Sequence, residues 1–390
     1  MIPFARIMKY GNTVEPAPRV VKILCPNTQA YSAIIVLYSN GDLYGIGGGS
    51  TANYIFGNGQ PTTNVSQWTL MYQNVKNVSC VDNTFIIFQT FDDKFFFCGT
   101  PGFMTGTATE ANYVSVYTEC TSFITATLTS AQISSIKQIE MTNSGIFILL
   151  HTGELYRSGD NSSGQMSTGN NTALTVLTYL DTNFRYITAR QSSVGAIKND
   201  NTVWLCGNNN AGQMGNGTQT NVRSIYQVPT NTGYTPIALG MNNTASFILY
   251  RNDTTFDITL WSSGNGAVGN MGDGQTAVQT TFVQNTAMSY TFSSLYSSAT
   301  GNAGIGLYGS DHMMYTMGAN SIGRAGNGTR TNISIVSPMS TGTDIQSPNL
   351  FDLSNRGSCY ISTDGKIKFA GSWPTTNTPT ASFTEIDSPK

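Results

Sequence analysis

The stretch GNNNAGQMGNGTQTN, residues 207–221, carries glycines at Gly207, Gly212, Gly215 and Gly217. Alone, it reads equally as a loop that cradles a ligand or as a turn. A second copy, GANSIGRAGNGTRTN, begins at Gly318 and repeats the offsets at Gly323, Gly326 and Gly328. A third begins at Gly264 and continues through Gly269, Gly272 and Gly274. A glycine frame that returns at fixed offsets points to a repeat architecture before it points to chemistry. The GxGxxG-like spacings do not sit between a strand and a helix of a βαβ unit, so a dinucleotide reading fails.

Outward from the frame, a hairpin-like unit recurs: an apolar run, a polar turn, a second apolar run, then Gly. AIIVLYSNGDLYGIG ends at Gly47, TFIIFQTFDDKFFFCG at Gly99, GIFILLHTGELYRSG at Gly159 and VGAIKNDNTVWLCG at Gly207. SFILYRNDTTFDITLWSSG ends at Gly264, GIGLYGSDHMMYTMG at Gly318 and SCYISTDGKIKFAG at Gly371. The seven units cover 324 residues in six steps, a mean step of 54. Their Asn/Asp/Gly-rich turns suit tight hairpins with positive φ. The flanking runs read as strands buried on both faces. Each unit adds two weaker strands, one after the frame (VSQWTLMY, 65–72; VRSIYQVP, 222–229) and one before the hairpin (VKNVSC, 75–80; IKQIEM, 136–141). Seven small four-stranded antiparallel sheets cannot each bury two faces alone. Radial packing around an axis solves this, and the expectation is an all-β, seven-bladed β-propeller of four-stranded blades over residues 19–390. In that reading the frame is the turn from third to fourth strand. Residues 1–18, with VEPAP, are expected to be an extended arm. Residues 100–135, around CTSFITATLTSA, make the longest gap between units.

Composition narrows the function. The chain is 39% hydrophobic and only 10% charged, against roughly 25% charged in an average soluble protein. Thr, Asn, Ser and Gly supply the polarity instead, a balance associated with extracellular and virion proteins. A net charge of -2 without a Lys/Arg run gives no reason to expect nucleic acid. No apolar run is long enough to span a membrane, and MIPFARIMKYGNTVEPAPRV lacks the apolar core of a secretory signal. The six cysteines (Cys25, Cys80, Cys98, Cys120, Cys206, Cys359) form no CxxC pair and only His151 and His312 are present, so no metal or other cofactor is expected. DNSSGQ (160–165) lacks the closing acid of a calcium loop and reads as a polar turn.

GDLYGIG (41–47), GELYRSG (153–159) and GNNNAGQMGNG (207–217) resemble the regulator-of-chromosome-condensation repeat family, over about residues 19–390. That family carries a G-x-L-Y-x-W-G strand followed by an N-x-x-G-Q-L-G-x-G loop. Its nuclear members have Gly-x-x-His on the strand nearest the axis. The corresponding residues here, Cys25, Cys80, Met141, Ala189 and Gly240, are followed by no His, and the ring next to the axis reads as apolar or neutral. The basic arm of chromatin-bound members is also missing. The resemblance therefore implies the fold without implying nucleotide exchange.

With two turn histidines on different units, no Ser–His–Asp set can be assembled. The expectation is a non-enzymatic binding protein, a virion (phage) structural component whose propeller contacts a host surface molecule or other virion proteins. The alternative is a cellular protein-interaction regulator of the same fold, an exchange factor or protein inhibitor. Specificity is expected where the frame copies disagree, Asn208, Asn209 and Asn210 against Ala319, Asn320, Ser321 and Ile322.

Overall fold

The structure is a computed structural model and describes residues 17–26, 32–48, 55–59, 64–81, 85–99, 114–297, 303–354, 356–373 and 379–389. Seven four-stranded antiparallel sheets make a seven-bladed β-propeller, each sheet built from four consecutive strands. The arm expected over residues 1–18 falls outside the described residues except for residues 17 and 18.

The second and third strands of each blade are the apolar hairpins seen in the sequence. Ala33–Tyr38, Phe85–Thr90 and Gly145–Leu150 are buried at every position. A strand in the middle of a radial sheet faces a neighbouring blade on both sides, which is why its side chains do not alternate apolar with polar. Burying each Ile, Leu or Phe contributes about 1.5–3 kcal/mol, so one charge in such a strand would open the blade interface that its side chain faces.

The first strands form the innermost ring. They are Val20–Leu24, Val75–Val81, Ile136–Thr142, Phe184–Arg190, Tyr234–Met241, Phe292–Ser297 and Phe351–Leu353. Phe184–Arg190 touches both Ile136–Thr142 and Tyr234–Met241, and Val20–Leu24 touches Phe351–Leu353 to close the circle. Among the described residues no strand is exchanged between blades 1 and 7. Their seam is sealed by an apolar cluster that includes Ile23, Cys25, Ile34, Cys359 and Phe369. Ser32 N–H donates to Ser372 O across it at 3.1 Å.

The glycine frame does more than join two strands of one blade. Five described frame loops cross to the outer strand of the next blade. Gly59 N–H donates to Ser115 O at 2.9 Å, Gly169 to Arg223 O at 2.8 Å, Gly217 to Thr280 O at 2.8 Å, Gly274 to Ser334 O at 2.7 Å and Gly328 to Ala381 O at 2.7 Å. Aromatic side chains of those outer strands lie on the bare backbone of the frame: Tyr117 on Gly57, Phe282 on Gly215 and Phe383 on Gly326. The frame is an inter-blade clasp, repeated around the rim.

The gap at residues 100–135 resolves in part. Residues 100–113 lie outside the described residues. Beyond them come the outer strand Val114–Glu119 and two short helices, α1 (Thr121–Thr125) and α2 (Ser130–Ser134). Thr129 caps α2: its Oγ1 accepts from Gln132 N–H at 3.3 Å, and Gln132 Oε1 accepts from Thr129 N–H at 3.0 Å. Ile124, Leu128 and Ile133 drive into the core between blades 2 and 3. The helices plug that boundary.

Candidate functional site

Antiparallel strands alternate direction, so the second-to-third turns and the blade-to-blade connections leave one face of the ring, and the frame loops leave the other. On the axis lies a cavity of about 360 Å³. Residues from the starts of inner strands (Tyr186, Ile237, Ser293) and Asn349 line its hairpin-turn end, and Glu140, Arg190 and Asp352 line the part further along.

This corrects the expectation of an apolar or neutral inner ring. Cys25, Met141, Ala189 and Gly240 are buried in blade packing. Charged neighbours of some of them reach the axis instead: Glu140 precedes Met141 and Arg190 follows Ala189. Strand alternation sends adjacent side chains to opposite faces, so an apolar residue at one position says nothing about the next.

The axial polar groups tie blade to blade. Arg190 Nη1 donates to Glu140 Oε2 at 2.8 Å, from blade 4 to blade 3. Gln138 donates to Ile187 O at 2.8 Å and accepts from Ile187 N–H at 3.3 Å across the same boundary. Arg185 Nη2 donates to Pro236 O at 2.6 Å, from blade 4 to blade 5. Lys22 Nζ donates to Val78 O at 2.5 Å, from blade 1 to blade 2. Asp352 Oδ2 accepts from Cys25 N–H at 2.7 Å, between blades 7 and 1. Burial lowers the Lys22 pKa, opposed by the nearby Glu140 and Asp352 carboxylates. Burial also pushes the Asp352 carboxyl up to about 6, against the pull of two backbone N–H groups, Arg190 and Lys22.

The hairpin-turn face has a second feature. Four large aromatic side chains are exposed among the described residues, Phe91, Tyr179, Phe256 and Tyr290. Three of them, Phe91, Phe256 and Tyr290, stand in loops of this face. Phe256 is 67% exposed and sits at φ +62, a left-handed backbone that a bulky residue rarely adopts. Asn252 holds it there by accepting from Phe256 N–H through its carbonyl at 2.9 Å and from Thr254 and Thr255 N–H through its side chain.

The frame-loop residues singled out in the sequence divide into two kinds. Asn209 is fully buried. Its Nδ2 donates to Thr218 O and Thr220 O, both at 3.0 Å, and its Oδ1 accepts from Met214 N–H at 2.8 Å. Asn320 is buried in the same way, donating to Thr329 O at 3.0 Å and accepting from Ala325 N–H at 2.9 Å. Asn161 repeats the arrangement in the third blade. These asparagines organise their own loops. Asn210 and Ser321 are exposed and Asn208, Ala319 and Ile322 half-buried, on the frame face rather than beside the axial cavity mouth. Both histidines are exposed in hairpin turns. Asp160 and Asn161 spend their side chains on hydrogen bonds within their own turn. Cys98, Cys120 and Cys206 are buried thiols pushed up to about 12 by desolvation.

These features define the class: an all-β ring of seven clasped blades with a polar axial cavity. No family model and no curated protein matches the sequence. Solved structures do match the fold. Yeast RCC1 (Prp20), in its complex with Kap60, superposes with a TM-score of 0.67 at 13% identity, over 92% of this chain and 81% of that one. Prp20p from Saccharomyces cerevisiae, in a study of its binding to Gsp1p and histones, gives 0.65 at 12% identity, over 82% and 77%. Human WBSCR16 gives 0.55 at 15% identity, over 72% and 70%. The fold is an RCC1-like propeller.

Proposed function

We propose that this protein is a non-catalytic binding module that engages a protein partner with its hairpin-turn face. The observation that carries the reading is Phe256, exposed on that face in a strained backbone. Strain of this kind costs about 1–3 kcal/mol and is retained where it serves a purpose. Phe91 and Tyr290 on the same face supply further aromatic anchors of the type that dominate binding energy. The blade-to-blade bonds at axis and rim keep such loops on a rigid support. The likeness to Prp20, which was solved bound to Kap60 and studied for its binding to Gsp1p and histones, supports a ring of this shape as a platform for proteins. Net charge gives no attraction to nucleic acid.

The low charge and the Thr/Asn/Ser/Gly-rich composition favour a place in a virus particle, with another virion protein or a host surface molecule as the partner. A cellular regulator is the second reading, favoured by the Prp20 likeness. The test is capture from two fractions, host envelope and host cytosol, by the native chain and by an F91S/F256S/Y290S variant of equal thermal stability. A defined component held by the native chain and lost by the variant supports the reading, and its fraction separates the two settings. Equal capture by both chains overturns it. Mass spectrometry of purified particles checks the virion placement directly.

A further inference from the structure

In the axial cavity the carboxylates are paired with protein donors, while part of the Arg190 guanidinium is not. Both carboxylates that line it are already served by the protein. Glu140 Oε1 accepts from Gln138 Nε2 at 3.1 Å and Oε2 from Arg190 Nη1 at 2.8 Å. Asp352 Oδ2 accepts from Cys25 N–H at 2.7 Å and Oδ1 from Leu353 N–H at 2.9 Å.

The donors are not spent. Arg190 uses only Nη1, toward Glu140 and Ala189 O. Its Nε–H is buried without a hydrogen-bond partner, and Nη2 makes no bond to a described residue. Nε–H and Nη2–H together form one side of the guanidinium fork, the side that takes an oxyanion through two parallel bonds. Tyr186 and Thr188 line the same cavity, and neither hydroxyl bonds to a described residue. Tyr186, Thr188 and Arg190 stand at alternate positions of the inner strand Phe184–Arg190. A strand presents alternate residues on one face, so the three donors form a row along the cavity wall. Arg190 keeps 23% of its side chain accessible while its other edge is fixed by Glu140, which pre-orients the fork. A buried donor left unpaired is costly, and a polar site of this kind calls for an acceptor.

We propose that the axial cavity is a receptor for a carboxylate, which pairs with the Arg190 guanidinium and runs past Thr188 and Tyr186 toward the hairpin-turn face. At about 360 Å³ the cavity is at the small end of ligand sites. It takes either a short free acid or the C-terminal carboxylate of a peptide. Neither source requires the exposed aromatics, so the site stands independently of the partner face: the F91S/F256S/Y290S variant keeps it.

The test is calorimetric titration of the full chain with three probes: succinate, N-acetyl-trialanine with a free carboxylate, and the same peptide as its C-terminal amide. The expected result is saturable binding of succinate or of the free-acid peptide, and none of the amide. Succinate alone identifies a free acid, and the free-acid peptide identifies a chain terminus. Arg190→Gln weakens binding about tenfold or more, as loss of a charge-assisted pair does. Thr188→Val, which keeps shape and leaves Glu140 paired, weakens it about threefold. The proposal is overturned by no saturable binding of either acid up to about 10 mM. It is also overturned if the amide binds like the acid, or if Thr188→Val and Arg190→Gln, both folded, bind like the native chain.

Discussion

Gly328 donates its N–H to the carbonyl of Ala381 at 2.7 Å, joining the frame loop of blade 6 to the outer strand of blade 7. The same bond recurs at four other described blade boundaries. Cohesion in this ring is therefore supplied twice, by frame loops at the rim and by side chains such as Arg190 and Lys22 at the axis. Between them lie the apolar faces of the blades. With no strand exchanged among the described residues, closure of the ring depends on such ties.

The frame glycines differ in what a side chain would cost. A Cβ on Gly323 would lie 2.5 Å from Ala381 Cα and 2.7 Å from Thr380 O, at φ +78. A Cβ on Gly328, at φ +80, meets nothing within 4 Å. Gly328→Ala then costs only the left-handed backbone, about 1–2 kcal/mol. Gly323→Ala must also push two blades apart, and the expected loss exceeds roughly 3 kcal/mol. Urea unfolding of the two variants checks the order, and equal losses would show that the clasp contributes nothing.

Asn209→Ala removes a buried amide that serves three backbone groups of its loop. The expected loss is about 2–3 kcal/mol, from orphaned carbonyls of Thr218 and Thr220 and the N–H of Met214. Asn320→Ala behaves alike, because Asn320 donates to Thr329 O and accepts from Ala325 N–H in the same way. Asn210→Ala and Ser321→Ala, at exposed positions, stay within about 0.5 kcal/mol of the native chain. Chemical denaturation of the four variants separates loop organisers from surface residues.

The blades were legible in the sequence because a hairpin is local: an apolar run, its turn and its partner run lie within some twenty residues. Asn209 and Asn320 read in the sequence as contact candidates beside Asn208 and Ala319, although the copies agree there and the structure buries both inside their loops. The axial cavity was not legible. Lys22, Glu140, Arg190 and Asp352 come from four blades, and each reads alone as an ordinary charge on a strand. Only ring closure brings them together. The helices α1 and α2 were missed for a different reason, since five residues are too few to establish a helical period.

Asp352 makes stability depend on pH in a direction opposite to that of a salt-bridged acid. Its carboxyl titrates at about 6 in the folded chain, against roughly 3.9 when unfolded. Between those values the native state holds more protons than the unfolded state. The contribution of this group therefore falls as pH rises through about 4 to 6, and the loss is complete above that window. Partial access to solvent reduces the size to roughly 1–2 kcal/mol. Asp352→Asn changes hydrogen bonds at every pH, so the readout is the stability gap between variant and native chain. That gap should move toward the variant by this amount between pH 4 and pH 7. A constant gap would place the carboxyl near its ordinary value.

Phe256 allows function and stability to be separated. Its backbone at φ +62 suits Asn far better than Phe, since Asn visits the left-handed region at little cost. Its ring is mostly exposed and lies by the Arg251 guanidinium, 5.9 Å from the ring centre, a contact worth about 0.5–1 kcal/mol at the surface. Relief of strain offsets that loss, and Phe256→Asn is expected to be as stable as the native chain or up to about 1 kcal/mol more so. The same substitution deletes an aromatic anchor and should weaken partner capture at least tenfold. Thermal unfolding and capture are measured on one preparation. A variant that is stabilised and still binds at full strength would show the exposed ring to be idle, and the partner face would have to be sought among the frame loops instead.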